Sequence, residues 1–248
     1  MAEPNHRPQR PPGSATGNRL IDALPPEERA RLLPLLAPVR LARGQRLHGV
    51  YEPITHVYFP LTAFVSLLVV LEDGRQIEVA AVGREGIVGL SLAMGATADM
   101  HLALVQVPGE ALALTAEAFQ AVLPGLPALH LLLTRYALLR FAQMAQSVAC
   151  NAFHSLSERC ARWLLEAYSR VGNPDLPLTQ DFLAAMLGVH RPTVTAALGM
   201  LQQAGLIGTA RGRIRILDPD RLREAACECY RVVVSETERL LGVADGRA

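Results

Sequence analysis

The stretch from Leu178 to Leu217 constrains the fold of this chain more than any other part of its sequence. Thr179 can cap a first helix, and Gly188 permits the left-handed turn that would end that helix. Pro192 fits only in the first turn of a second helix, because its missing N–H costs nothing there. A basic two-stranded hairpin pattern follows. Two short helices joined by a tight turn, with a hairpin after them, indicate a winged helix-turn-helix, a motif that binds DNA.

The charge pattern of this stretch supports the same interpretation. It carries four arginines and one acid, Asp181, in a chain whose formal net charge is +1. A local basic patch on a near-neutral protein is typical of a surface that binds phosphates. The alternative is a packed helical hairpin whose basic edge faces solvent. The residues that we expect to contact DNA are Gln180, His190, Arg191, Thr193, Thr195, Arg211 and Arg213.

Length and composition limit the number of domains and the classes of protein to which this chain can belong. The chain has 248 residues, half of them hydrophobic, which is enough for one large domain or two ordinary ones. The longest apolar run, Leu61 to Leu71, falls short of the roughly 20 residues that a spanning helix needs. The N-terminus has no apolar segment like a signal peptide, and residues 1–18 have the composition of a disordered tail. We therefore expect a cytoplasmic protein without a membrane partner.

The cysteines do not form a metal-binding motif at the level of sequence. No CxxC occurs, and Cys227 and Cys229 would point to different faces of a single helix. Without a secretory signal, we expect all four, which include Cys150 and Cys160, to be reduced thiols. The sequence thus predicts no metal site and no cofactor.

The remaining chain divides into a β-rich part and a helical part. Residues 19–39 look helical, and from Arg40 to about Glu110 short β-rich runs alternate with turn signals, which indicates a small all-β barrel or jelly roll. A long helix is predicted from Leu126 to Val148, another from His154 to Arg170, and a last one from Asp218 to about Leu241.

The long helix has two apolar faces, so it needs two partners. One partner can be the barrel of its own chain, and the other can be the same helix of a second copy in a seam like a coiled coil. The alternative is a central buried helix in a monomer. One face carries Leu131, Leu138, Phe141, Ala145 and Val148. The other face, to which we assign the dimer interface, carries Leu129, Leu132, Tyr136 and Leu139.

The order of barrel, long helix and winged helix-turn-helix resembles the Crp/Fnr superfamily of bacterial transcription regulators. The most specific stretches are VGREGIVGLS, from Val82 to Ser91, and LGVHRPTVTAAL, from Leu187 to Leu198. The resemblance implies an α+β chain that is not an enzyme. Its parts would be a tail at 1–18, a sensor barrel at 19–125, a dimerisation helix at 126–150 and a DNA-binding domain at 151–248. It also implies a homodimer on a palindromic operator in double-stranded DNA, with RNA polymerase as a further partner.

At the level of residues, the resemblance places Arg191 where the family has an arginine that contacts guanine. A bidentate arginine–guanine pair is worth about 1–3 kcal/mol of discrimination. Thr193 matches a threonine that contacts phosphate or base. Pro192 and Ala196 stand where the cyclic-AMP receptor has a base-reading glutamate and a second arginine. The operator should therefore differ from that of the cyclic-AMP receptor.

The sensor barrel departs further from the family pattern. Cyclic-nucleotide binders use a Gly-Glu pair for the ribose and an Arg-Ser pair for the phosphate, but here Leu90 follows Gly89, and residues 99–102 contain neither arginine nor serine. A buried phosphate would lack its cation, so we expect no cyclic-AMP binding in the manner of the family and leave the effector unknown. No cysteine precedes Cys150, which disfavours an N-terminal iron–sulfur cluster. The effector-pocket candidates are Gly89, Leu90, His101 and Tyr136.

Three alternatives for the barrel remain open. A cupin-like metalloenzyme needs an HxH pair and a glutamate, whereas His48, His56 and His101 are isolated in sequence. These histidines could instead converge in space to hold haem or a metal in a sensor. The barrel could also sense nothing and serve only as a dimerisation scaffold.

Overall fold

The computed structural model describes residues 15–242. Its N-terminal part is a barrel of two antiparallel sheets, with strand orders β1-β7-β3 and β2-β6-β4-β5. The barrel strands are β1 (Ala37–Leu41), β2 (Arg46–His48), β3 (His56–Pro60), β4 (Phe64–Val70), β5 (Gln76–Val82), β6 (Leu102–Val107) and β7 (Gly109–Thr115). The C-terminal part has a small sheet in the order β8-β10-β9. Its strands are β8 (Asp175–Leu176), β9 (Ile207–Ala210) and β10 (Arg213–Ile216).

Helices flank and follow the barrel. They are α1 (Arg19–Asp22), α2 (Pro26–Leu32), α3 (Ala116–Val122), α4 (Pro127–Phe153), α5 (Leu156–Val171), α6 (Gln180–Leu187), α7 (Arg191–Gln203), α8 (Pro219–Ala225) and α9 (Cys229–Leu241). The α+β architecture predicted from the sequence is thereby confirmed. No single helix of the described chain is long and apolar enough to cross a membrane, although Ala116–Gly125 and Pro127–Phe153 meet that test together as a bent pair.

Strand β4 shows how the two parts of the chain share a core. Val65 and Leu67 belong to the cluster inside the barrel. Phe64 and Leu68, which alternate with them, belong instead to the cluster that includes Trp163 and the helix-turn-helix. Successive side chains of a strand point to opposite faces, so β4 is apolar on both faces because each face is covered. The rings of Phe64 and Trp163 meet edge to face at 5.7 Å.

The N-terminal segment differs from its prediction in two respects. The helical region ends at Leu35, and Ala37–Leu41 forms β1, because these residues pair with β7 along their whole length. The predicted tail at 1–18 lies largely outside the described residues, but its last part is packed. Asn18 is fully buried, caps α1, and donates hydrogen bonds to the carbonyls of Pro60 and Gly86.

The two apolar faces of α4 differ in how far they are buried within the chain. Leu129, Tyr136 and Leu139 are fully buried within the chain, and Leu132 packs partly buried against the same cluster. The opposite face is the exposed one, with Leu131, Leu138, Phe141 and Val148 all more than half exposed. The face predicted as the interface thus packs inside its own chain, because both faces are apolar and only the position of the barrel decides which one it covers.

The C-terminal segment forms two helices where one was predicted. The break lies at residues 226–228, where Ala226 has an extended backbone with ψ 152°. Helix α9 then packs along α4, and Leu241 at its end joins the cluster between the barrel and α4. The break changes where Cys227 and Cys229 lie, because they no longer belong to one continuous helix.

Candidate nucleic-acid interface

Local interactions of a few residues determine where the two helices of the helix-turn-helix begin and end. The hydroxyl of Thr179 accepts a hydrogen bond from the Phe182 backbone N–H at 3.2 Å and so caps α6. Gly188 ends α6 with a φ of 65°, the left-handed conformation that glycine adopts readily. Pro192 lies in the first turn of α7. The inner face of α7 is fixed by four buried side chains, Val194, Ala197, Leu198 and Leu201. The opposite face of α7 is therefore turned to solvent.

The exposed start of α7 carries polar residues that were predicted from the sequence to contact DNA. His190, Arg191, Thr193 and Thr195 are all exposed. The Arg191 side chain is 61% exposed and lies 3.2 Å from a carboxylate oxygen of Asp181. The Thr195 hydroxyl donates to Oε1 of Gln180 at 2.7 Å. These contacts join the start of α6 to the start of α7, so the two helices present one continuous polar surface.

The hairpin of β9 and β10 adds positive charge beside this surface. Arg211 and Arg213 are exposed, and neither pairs with an acidic side chain among residues 15–242. Arg215 is 3.9 Å from Asp175, a weak contact because both side chains are well exposed. A cleft of about 480 Å³ lies between the hairpin and the two helices. Its lining includes Gln180, Asp181, Arg191, Arg211 and Arg213.

The structure brings most of the predicted contact residues together at this cleft. Thr195 joins it through Gln180. His190 differs, because it lines a neighbouring groove against the β4–β5 hairpin, and Thr193 is exposed on the first turn of α7. Sequence reasoning missed the contact between Asp181 and Arg191, whose side chains are both exposed. An acidic residue in the first turn of a helix is common, so its presence does not by itself predict that pairing.

Contacts between α5 and the barrel hold the helix-turn-helix against the rest of the chain. Arg170 pairs with Glu85 of the barrel at 3.0 Å and with Glu166 at 2.9 Å, and Arg162 pairs with Glu166 at 2.6 Å. All four side chains are buried or nearly so. Breaking one member of such a network leaves its partner charge buried and unpaired. The network therefore favours one arrangement of the two parts.

A buried carboxyl lies at the same junction. Glu78 of β5 accepts hydrogen bonds from the Ser66 hydroxyl and, at 2.9 Å, from the indole N–H of Trp163. Burial raises the pKa of Glu78 to about 7, against the effect of the hydrogen bond from Ser66. The ionisation of this group thus depends on how α5 packs on the barrel.

The four effector-pocket candidates lie in two different surroundings. Tyr136 is fully buried against Gly86, where an added Cβ would overlap its hydroxyl. Gly89 has a φ of 89° and precedes Leu90, which opens a short 3-10 helix and packs on the apolar cluster around α4. His101 lies instead 2.7 Å from Asp99, which also accepts a hydrogen bond from Ser91.

The barrel histidines do not form the ligand set of a cupin. His56 contacts Thr55 and the ring of Tyr58, and His101 contacts Asp99. His48 is buried, and burial lowers its pKa. Within residues 15–242, the one group of three or more histidine, cysteine or acidic ligand atoms lies outside the barrel.

Comparison with known proteins matches both parts of the chain. Residues 158–225 match the family model of the Crp-like helix-turn-helix domain. Over 182 residues the chain is 29% identical to the "Global nitrogen regulator" of Synechocystis. The aligned residues make up 70% of this chain and 81% of that relative.

Solved structures extend the likeness to the whole architecture. A protein of Eubacterium rectale assigned to the Crp/Fnr family has a TM-score of 0.63 at 22% identity, over 83% of this chain and 96% of that one. FixK2 of Bradyrhizobium japonicum has a TM-score of 0.65 at 18% identity, over 77% of this chain and 98% of that one. At these identities the likeness establishes the fold.

Proposed function

This chain belongs to the Crp/Fnr superfamily of transcription regulators, and on that premise we propose that it acts as a homodimer on a two-fold symmetric DNA operator. Each copy would insert the start of α7 into a major groove, with RNA polymerase as the expected further partner. We assign the sensor barrel to residues 19–125, the dimerisation helix to 126–150 and the DNA-binding domain to 151–248.

The observation that carries the proposal is the exposed start of α7 beside a basic hairpin in which Arg211 and Arg213 are exposed. Arg191 projects from the first turn of α7, and the opposite face of this helix is buried in the core. A guanidinium in that position can donate two hydrogen bonds to the O6 and N7 atoms of a guanine. Arg211 and Arg213 would meet the phosphates, which fix the register without reading sequence. Asp181 would then act as the group that aims Arg191.

The dimer is proposed on the exposed face of α4. Leu131, Leu138 and Ala145 recur at seven-residue intervals, as do Thr134, Phe141 and Val148 between them. Apolar side chains at these two heptad positions are those through which two helices pack as a coiled coil. Two copies paired in this way would present two α7 helices, which must stand about 34 Å apart to reach successive major grooves.

The sensor is proposed to bind something other than cyclic AMP. Residues 99–102, which the resemblance places near the nucleotide phosphate, contain the carboxylate of Asp99 and no arginine. Burial alone would raise the pKa of Asp99, but hydrogen bonds from His101 and Ser91 hold it below its ordinary value. A negative charge there would repel a phosphate. Calorimetry that detects low-micromolar cyclic-AMP binding would contradict this part of the proposal.

Selection of DNA fragments by the purified full-length protein tests the proposal. We expect enrichment of a palindromic sequence. Arg191→Ala should reduce discrimination between that sequence and a variant with a guanine of each half-site replaced, by about five- to 150-fold. Dimerisation should stay unchanged, because Arg191 lies far from the exposed face of α4 in sequence and on a different helix.

The chain offers a matched control for this variant. Arg46 is 59% exposed and lies 3.1 Å from Glu52, so its environment closely resembles that of Arg191, but it belongs to β2 of the barrel. Arg46→Ala should leave operator binding as in the wild type. If Arg191→Ala behaves like Arg46→Ala, the assignment of Arg191 as the base-reading residue is wrong. If the protein selects no sequence at all, the proposed function fails with it.

The scaffold alternative is separated by the same selection done with and without cell extract. Operator binding that is equally tight in both conditions favours a barrel that only supports dimerisation. Binding that requires a small molecule from the extract favours the sensor.

A further inference from the structure

A cluster of thiols and one imidazole lies where the end of α4 meets the break between α8 and α9. Cys150 lies in the last turn of α4, and His154 follows the end of that helix, four positions further along the chain. Cys227 lies in the break, and Cys229 opens α9. The ligand atoms of these four residues all lie within 4.8 Å of one another. Residues distant in sequence are thus brought to one point.

The distances fit a single tetrahedral ion. The sulfur atoms of Cys150 and Cys227 are 3.5 Å apart, and the Cys229 sulfur is 3.4 Å from Nδ1 of His154. Bonds of about 2.3 Å to sulfur and 2.0–2.1 Å to nitrogen place such neighbours about 3.5–3.8 Å apart around a tetrahedral ion. A four-iron cluster binds each thiolate at a different corner of a cube, so its cysteines stand further apart than this.

The surroundings are those of a metal ligand set rather than of ordinary core cysteines. Nε2 of His154 is 3.1 Å from a carboxylate oxygen of Glu228, which favours a proton on Nε2 and leaves the lone pair of Nδ1 facing the thiols. A histidine held by a carboxylate in this way is the usual outer-shell arrangement of zinc sites. The amide of Gln146 donates to the Cys229 sulfur at 3.1 Å. Both contacts orient the ligands.

The charge of the site is also balanced. Three thiolates and one divalent ion leave a net charge of −1, and Arg159 and Arg162 of α5 both interact electrostatically with Cys150. The three sulfur atoms belong to buried residues, and the His154 side chain is largely covered. A buried anionic group is tolerated when cations stand next to it. Cys160 contrasts with these thiols, because it lies in the apolar core and burial raises its pKa to about 12.

We propose that Cys150, His154, Cys227 and Cys229 bind one zinc ion in a closed Cys3His site. Four protein ligands leave no open position, which is typical of structural zinc. The ion joins the end of α4 to the start of α9 and so fixes the break in the C-terminal segment. Arg159 extends the connection, because it also donates to the Leu187 carbonyl at the end of α6, at 2.6 Å. The site therefore supports the position of the helix-turn-helix relative to α4.

Metal analysis of the full-length protein tests this proposal without reference to DNA. The protein is reduced, incubated with zinc or cobalt, and freed of loosely bound metal. We expect one zinc ion per chain, and for cobalt the ligand-field bands of a tetrahedral site with sulfur-to-metal charge transfer. Cys150→Ser and Cys227→Ser should lose this stoichiometric metal, whereas the matched control Cys160→Ala should keep it.

Two further variants distinguish loss of metal binding from loss of the folded structure. His154→Gln changes a partly exposed side chain and should change the cobalt spectrum while the circular dichroism stays as in the wild type. Glu228→Gln should lower zinc affinity about 10- to 100-fold with all four ligands present. A reduced wild-type protein that retains no zinc or cobalt overturns the proposal. So does a Cys150→Ser protein with full metal content, or a Cys150–Cys227 disulfide that forms while no metal binds after its reduction.

Discussion

The exposed face of α4 gives the sharpest test of how two copies pair. Phe141 is 75% exposed, the largest apolar side chain on that face. A phenylalanine carries about 150–250 Å² of surface, so roughly 150 Å² of Phe141 faces solvent in one chain. If pairing covers half of that area in each of two chains, the burial stabilises the dimer by about 4 kcal/mol at 25 cal/mol per Å².

Replacing Phe141 with glutamine should therefore weaken dimerisation about a thousand-fold. Glutamine keeps good helix propensity, so α4 itself should remain intact. Sedimentation equilibrium over a range of concentrations gives the dissociation constant directly. Circular dichroism of the same samples shows whether the secondary structure is kept.

Leu139→Gln provides the opposite case on the same helix. Leu139 is fully buried in its own chain, so this change should lower the free energy of unfolding by several kcal/mol, in line with other disruptions of a core leucine. If Phe141→Gln dimerises like the wild type while Leu139→Gln dissociates into folded monomers, the interface lies on the face predicted from sequence, and our reasoning from exposure is refuted.

Three further perturbations test other parts of the molecule. Arg213→Ala should weaken binding to all DNA sequences alike and reduce the salt dependence of the binding constant by about one counterion, as measured by fluorescence anisotropy; a selective loss for the operator would contradict a phosphate contact. Glu78, whose pKa burial raises from 4.5 to about 7, should make the folded state less stable as pH rises from 4.5 to 7, because the folded protein holds this proton more tightly than the unfolded chain. Relative to Glu78→Gln, denaturant unfolding should show a loss of up to about 3 kcal/mol across that window, and parallel pH profiles would show that Glu78 ionises normally. Gly188→Ala should lower the free energy of unfolding by about 1–2 kcal/mol, because φ is 65° and the added Cβ would lie 3.0 Å from Ile77; an unchanged denaturation midpoint would show that the turn relaxes.

Several features of this protein follow from its sequence through local rules. Thr179, Gly188 and Pro192 each act on the backbone within a few residues, as a cap, a left-handed turn and a helix start. Their effects need no knowledge of the distant chain, so the helix-turn-helix and the exposure of Arg191 could be predicted. The short β-rich runs separated by turn signals likewise predicted the barrel, because turn residues act locally to end one strand before the next begins.

Other features depended on contacts between distant segments. Both faces of α4 are apolar, and only the packing of the barrel and α9 decides that Leu139 is inside and Phe141 outside. The break at residues 226–228 contains neither glycine nor proline, so no local residue pattern predicts it. That break brings Cys227 to Cys150, 77 positions away along the chain. A ligand set assembled from such separate segments has no sequence motif, because its spacing is fixed by the tertiary fold alone.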